Sequence, residues 1–143
     1  MTVVVTGIGL VSALGDTAEQ TWQRLLRGDS AIALRQPFLE LPPRPLAMLG
    51  KQPAALDDLL LTAATAAVHD AGLSGLLPDC GVVVGSSRGH QAQWEGFLTS
   101  GAIANWTDRL PHMGAITVAR SVGSRGPVLS PMAACATGLW AIA

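Results

Sequence analysis

The sequence predicts an α/β fold, and three observations carry that expectation. Short apolar, Val-containing runs recur at residues 3–5, 82–84 and 128–129. Stretches with helical spacing of apolar residues lie between and after them. Glycines stand where those stretches stop. The resulting order is strand, helices, strand, helices, strand, helix, which is the α/β pattern.

Val3, Val4 and Val5 open the first run, followed by Gly7 and Gly9. A continuous apolar run of this kind reads as a strand covered on both faces. Asp16-Thr-Ala-Glu19 has capping-box spacing, with Asp16 at the cap. Trp22, Leu25 and Leu26 then share one helical face, and Gly28 stops the helix. Residues 30–55 hold Pro37, Pro42, Pro43, Pro45 and Pro53 and predict an irregular excursion, since proline removes backbone donors. A second helix is predicted by Leu56, Leu59, Leu60, Ala63, Ala64, Ala67, Val68 and Ala71, with Asp57 and Asp58 favourable at its N-terminal end and Gly72 closing it.

Residues 80–85 (CGVVVG) predict a second buried strand running into the polar loop Ser86-Ser-Arg-Gly89. Residues 90–110 read as helical in part, around Trp94, Phe97 and Leu98. Met113, Ile116, Ala119 and Val122 predict another helix, with Pro111 near its first turn and Gly123 after its end. After the turn at residues 125–127 (RGP), Val128 and Leu129 begin a third strand, and Pro131 falls inside it. Proline cannot donate to a ladder, so this strand is expected to be shorter or shifted in pairing. A helix follows residues 133–138 (AACATG), and residue 143 falls inside it.

The composition narrows function. Hydrophobic residues make up 49% of the 143 and charged residues 13%, against roughly 25% charged in an average soluble domain. A large partner surface, or the remainder of a larger fold, is expected to cover what is left apolar; a well-packed Ala-rich monomer is the plainer alternative. Net charge is −1, and the eight Arg and one Lys form no basic run. That gives no footprint for nucleic acid and no charged membrane surface. The apolar stretch 3–14 has no positive leader and is too short to span a bilayer. Cys80 and Cys135 are too few and too far apart for a disulfide framework, and no two of His69, His90 and His112 have metal-ligand spacing. Free thiols, no metal and no cofactor in a reducing, cytoplasmic setting are expected.

Cys135 is the residue singled out for chemistry. A strand delivers the chain to a turn of small residues, and a helix leaves from the thiol. Such a junction holds a side chain out at the end of a sheet. Helix N-terminal amides beside the sulfur favour the thiolate form, and the Cys135 amide can stabilise a thioester oxyanion. The plainer alternative is that Cys135 is a small buried hydrophobe, which is the expectation for Cys80. A protease-like pairing of Cys135 with His90 or His112 is a further alternative.

The ordered segments resemble one family. VVVTGIGLVSALG over residues 3–15 is similar to the opening strand and turn of the β-ketoacyl-acyl carrier protein synthases. Residues 21–30, from Thr21-Trp22 to Gly28-Asp-Ser30, resemble the first helix and its end. HDAGL at 69–73 resembles the close of the long Ala-rich helix, and GVVVGS at 81–86 the second core strand. RGP at 125–127 and ACATG at 134–138 resemble the approach to the active-site cysteine.

The resemblance implies a thiolase-like fold, here an incomplete N-terminal part of a layered helix–sheet–helix architecture. Residues 1–143 are expected to form one N-terminal synthase region that stops within the helix after the nucleophile. It implies acyl transfer to Cys135 and then decarboxylative Claisen condensation with a malonyl thioester, in fatty acid or polyketide synthesis. Acyl carrier protein bearing acyl and malonyl groups is the implied partner, with a homodimer or a complementing C-terminal portion. The two histidines and the lysine that such enzymes use belong to their C-terminal part and match no position here. The 143 residues alone are therefore expected not to condense substrates. The alternative function is a non-catalytic α/β interaction module that docks a partner subunit or carrier protein.

Overall fold

The computed structural model describes residues 2–101 and 105–143. The region 90–110, expected to be partly helical, includes residues 102–104, which lie outside the described residues. The chain forms two compact units, Met1–Ser74 and Gly75–Ala143.

In the first unit, residues 2–11 are extended but unpaired in any ladder, and Val3, Val4 and Val5 are exposed, Val3 at 90%. The buried strand expected there is not formed. An apolar run encodes a preference for burial, but a strand also needs a neighbour to exchange hydrogen bonds with. The strands present in this unit pair with each other. The chain turns at 12–15, where Ser12 and Gly15 bridge each other.

Helix α1 (Ala18–Leu26) is capped by Thr17, whose Oγ1 accepts the Gln20 N–H at 3.1 Å. Gln20 Oε1 in turn accepts the Asp16 N–H at 3.1 Å. The cap is therefore one residue later than the Asp16 expected from spacing. Both Asp and Thr are good caps, and Gln20 rather than Glu19 reaches back, to the amide of the residue before the cap. Thr21 is buried, its hydroxyl 2.8 Å from that of Ser12, which ties the helix to the turn before it. At the other end Gly28 has φ 73°, its N–H reaching Leu25 O and the Asp29 N–H reaching Arg24 O. This is the Schellman arrangement, in which a left-handed residue closes the last turn.

Asp29 accepts from Arg27 Nη2 at 3.1 Å and Arg24 Nε at 3.2 Å. The Arg27 hydrogen bond, then that of Arg24, holds the Asp29 carboxyl below its ordinary range. A carboxylate whose folded value is depressed contributes stability above its unfolded pKa, about 3.9, and loses it as pH falls through the folded value. Asp29→Asn should therefore be less stable than the wild type at neutral pH. The two should converge as melts are taken into acid, and high salt should shrink the neutral-pH gap. A gap that persists unchanged at low pH would show that the charge is not its source.

The proline-rich excursion is more ordered than expected. Strands β1 (Ile32–Arg35) and β2 (Arg44–Ala47) form an antiparallel hairpin with Leu34 opposite Pro45. Each strand of a two-stranded sheet is an edge, where proline is tolerated because one side of the backbone needs no ladder partner. Pro37, Pro42 and Pro43 lie in the connection between the strands.

Helix α2 (Leu56–Asp70) follows, with Asp57 and Asp58 in its first turn. It ends at Gly72 (φ 66°), with Gly72 N–H to His69 O and Leu73 N–H to Val68 O. The small face of α2 meets the extended segment. A side chain at Gly7 would strike Ala67 O and Ala71 N, and one at Gly9 would strike Ala63 O and Ala67 N. The Ile8 N–H between them donates to Asp70 Oδ2 at 2.8 Å. Alanines on the helix and glycines on the segment thus allow backbone to lie against backbone.

In the second unit, β3 (Val82–Val83) and β4 (Val128–Leu129) pair in parallel, Val82 opposite Val128. The bonds from Val82 N–H to Pro127 O and from Val84 N–H to Leu129 O flank this pairing. Between the strands run α3 (Gln91–Ser100), a 3-10 turn at Trp106–Arg109, and α4 (Met113–Val122). Parallel strands require such a crossover. Helix α4 packs on both strands, and Val82, Ala115, Val118 and Ala119 form the core there. The second strand is shorter than the six residues expected, and Val83 is exposed. Strand β4 ends at Leu129, so Pro131 lies beyond it and does not interrupt a ladder.

Candidate active site around Cys135

Three residues past Pro131 the chain tightens into a 3-10 turn, Ala134–Ala136, and then continues as α5 (Thr137–Ile142). Cys135 is the middle residue of that turn and is exposed, while Cys80 is partly buried; both are free thiols. The thiol thus sits at a strand-to-helix junction, as the sequence predicts, although a 3-10 turn precedes the α-helix. Alanine at 133, 134 and 136 leaves room for the tight path.

Ala134 has φ 48°, in the left-handed region that non-glycine residues seldom adopt. Holding it there costs about 1–3 kcal/mol, which surrounding contacts must offset. Thr137 supplies them. Its buried hydroxyl accepts the Ala133 N–H at 2.9 Å and donates to Ala134 O at 2.8 Å. The sequence reading assigned no role to Thr137. The available signal was a hydroxyl residue just after a turn, the position from which Ser and Thr bond local backbone. Gly85 lets α5 lie close, since a Cβ there would come 2.8 Å from Thr137 Cγ2 and 2.9 Å from Thr137 O.

The amides of the turn are partitioned. Ala136 N–H bonds Ala133 O at 2.9 Å, and Thr137 N–H bonds Ala134 O. Among the described residues no acceptor holds the Cys135 N–H.

Cys135 opens onto a cleft of about 760 Å³, lined also by Ser87, Arg88, Trp94, Pro111, Met132 and Ala134. The Trp94 indole N–H donates to Arg109 O at 2.8 Å, and its ring stands edge-on to Phe97 with centroids 5.5 Å apart. That fixes Trp94 as an apolar wall. No histidine lines the cleft. His90 is buried at the start of α3, His112 precedes α4 on the surface, and His69 is exposed in the last turn of α2. The cleft therefore does not bring a histidine to Cys135 as a protease-like pair would require. Among the described residues no group of three or more His, Cys, Asp or Glu side chains could hold a metal ion, and no helix is long and apolar enough to cross a membrane.

A thiol-bearing turn between a parallel strand and a helix is compatible with a thiolase-like condensing-enzyme fold, and comparison with known proteins shows that fold. Residues 49–143 match the family model "Beta-ketoacyl synthase, N-terminal domain". The chain belongs to that family. It also superposes on a crystal structure of a beta-ketoacyl synthase from Burkholderia phymatum STM815, with a TM-score of 0.71 and 24% identity over 97% of this chain. The chain spans 41% of the length of that protein.

Proposed function

We propose that this chain carries the acyl-accepting site of a β-ketoacyl synthase, with Cys135 as nucleophile. The observation that supports it most directly is the exposed Cys135 thiol at a strained strand-to-helix turn facing a cleft. Cys135 Sγ attacks the carbonyl of an acyl thioester. The new S–acyl bond forms as the C–S bond to the carrier breaks, and the proton of the cysteine leaves with the carrier thiol. The Cys135 N–H is the oxyanion donor, which suits the lack of another acceptor for it among the described residues. Holding the acyl group covalently divides one difficult condensation into two easier steps.

In the second step a malonyl thioester loses carbon dioxide, and its carbanion attacks the S-acyl carbonyl and expels the Cys135 thiolate. That step calls for decarboxylating groups that this cleft does not contain, so a complementing portion or partner subunit supplies them. The 143 residues alone capture an acyl group without condensing it. Acyl carrier protein is the physiological donor, and a reducing cytoplasm keeps both thiols free.

The test is acyl capture by the 143-residue protein. Incubation with the butyryl thioester of N-acetylcysteamine should place one butyryl group on Cys135, located by peptide mass spectrometry, with Cys80 unmodified. Iodoacetamide near neutral pH should likewise alkylate Cys135 much faster than Cys80. Equal labelling of both thiols together with no butyryl transfer would overturn the assignment.

A further inference from the structure

Arg88 is the one cation among the described residues that line the Cys135 cleft. It lies in the loop after β3, and its Nη1 donates to Gln91 Oε1 at 3.1 Å. Gln91 Nε2 in turn donates to Glu95 Oε1 at 2.6 Å. The nearest acid in this chain of contacts is thus one amide removed. Among the described residues no carboxylate forms an ion pair with Arg88; the pairs present are Arg24 and Arg27 with Asp29. Trp94, Pro111 and Met132 line the same cleft and give it apolar surface, while Arg88 itself is exposed. A guanidinium with most of its donors unspent, lining the same cleft as the Cys135 thiol, is suited to oxyanions that accept two parallel hydrogen bonds.

Resting on the acyl-accepting role of Cys135, we infer that Arg88 is a specificity residue that selects thioesters bearing an anionic oxygen group, a carboxylate or a phosphate. A neutral alkyl thioester reacts at the same thiol without this contact. The carboxylate would belong to the acyl group and the phosphate to the carrier arm, and these sources are separable.

The measurement is the rate of Cys135 acylation of the full 143-residue chain by mass spectrometry. One arm compares succinyl with butyryl on phosphate-free N-acetylcysteamine. The other compares butyryl on phosphopantetheine with butyryl on pantetheine. In the wild type one of the two ratios should favour the anionic thioester by about tenfold, as expected for a charge-assisted contact. That ratio should fall to near one in Arg88→Gln and be partly kept in Arg88→Lys. The arm that responds names the source. Both ratios near one in the wild type, or ratios unchanged by Arg88→Gln, would overturn the role of Arg88 while butyryl capture leaves Cys135 as nucleophile. No acylation by any of the four compounds would remove the acyl-accepting role itself, and the specificity with it.

Discussion

Gly9→Val should cost the protein about 3 kcal/mol or more of stability, at the upper end of what overpacking does. A side chain at this position would strike Ala63 O and Ala67 N, which are main-chain atoms of α2. A flexible side-chain tip could swing away from such a clash. A helical carbonyl and amide cannot, unless α2 bends or lifts from the segment. Lifting would also break the Ile8–Asp70 bond beside it. In a unit of this size each kcal/mol moves Tm by roughly 4–8 °C, so a drop of about 12–24 °C is expected. Gly96→Ala is the control. Gly96 lies inside α3 with nothing near the added methyl, and alanine there should stabilise the helix by about 1 kcal/mol. A Gly9→Val protein that melts with the wild type would show that the extended segment does not lie on α2 as described.

Thr137→Val should slow acylation of Cys135 by about 10- to 100-fold, the scale of a small misplacement of a reacting group. Valine keeps the shape of threonine, and so keeps the methyl beside Gly85, but removes both bonds of the hydroxyl. The Ala133 N–H and Ala134 O are then left without that partner, at a cost of about 1–3 kcal/mol. Ala134 would relax from its left-handed conformation, and the Cys135 amide and thiol would move with it. Thr137→Ser keeps the hydroxyl and should restore most of the rate. A purely structural role predicts something else: reduced melting temperature in both variants and an unchanged acylation rate in the folded protein. Wild-type acylation by Thr137→Val would place the control of Cys135 elsewhere.

How much of this was readable from residues alone differs by element. Helix α2 was legible because its apolar spacing, first-turn acids and Gly72 all point the same way. Val128 and Leu129 were legible as a strand, and Gly28 and Gly123 as helix stops, for the same reason of local agreement. Val3–Val5 were misread because apolar character is local and a ladder partner is not. The hairpin at 32–47 was hidden by its prolines, which exclude a central strand but not an edge. Thr17 was missed in favour of Asp16 because adjacent capping residues compete, and the partner that decides between them is set by the helix register. At the site, the junction at Cys135 followed from small residues between a strand and a helix. The support from Thr137, the room left by Gly85 and the presence of Arg88 in the cleft depend on non-local placement or on rotamers, which spacing does not encode.

The pairing of Val82 with Val128 closes a long stretch of chain, with α3 and α4 held inside the loop. Loop-closure entropy must be met before this contact returns anything, which makes such pairings slow to form. The turn carrying Cys135 begins just past the second of these strands. Its final shape should therefore arise late in folding, after α4 has docked, so that the thiol is not presented at that geometry by a half-assembled chain.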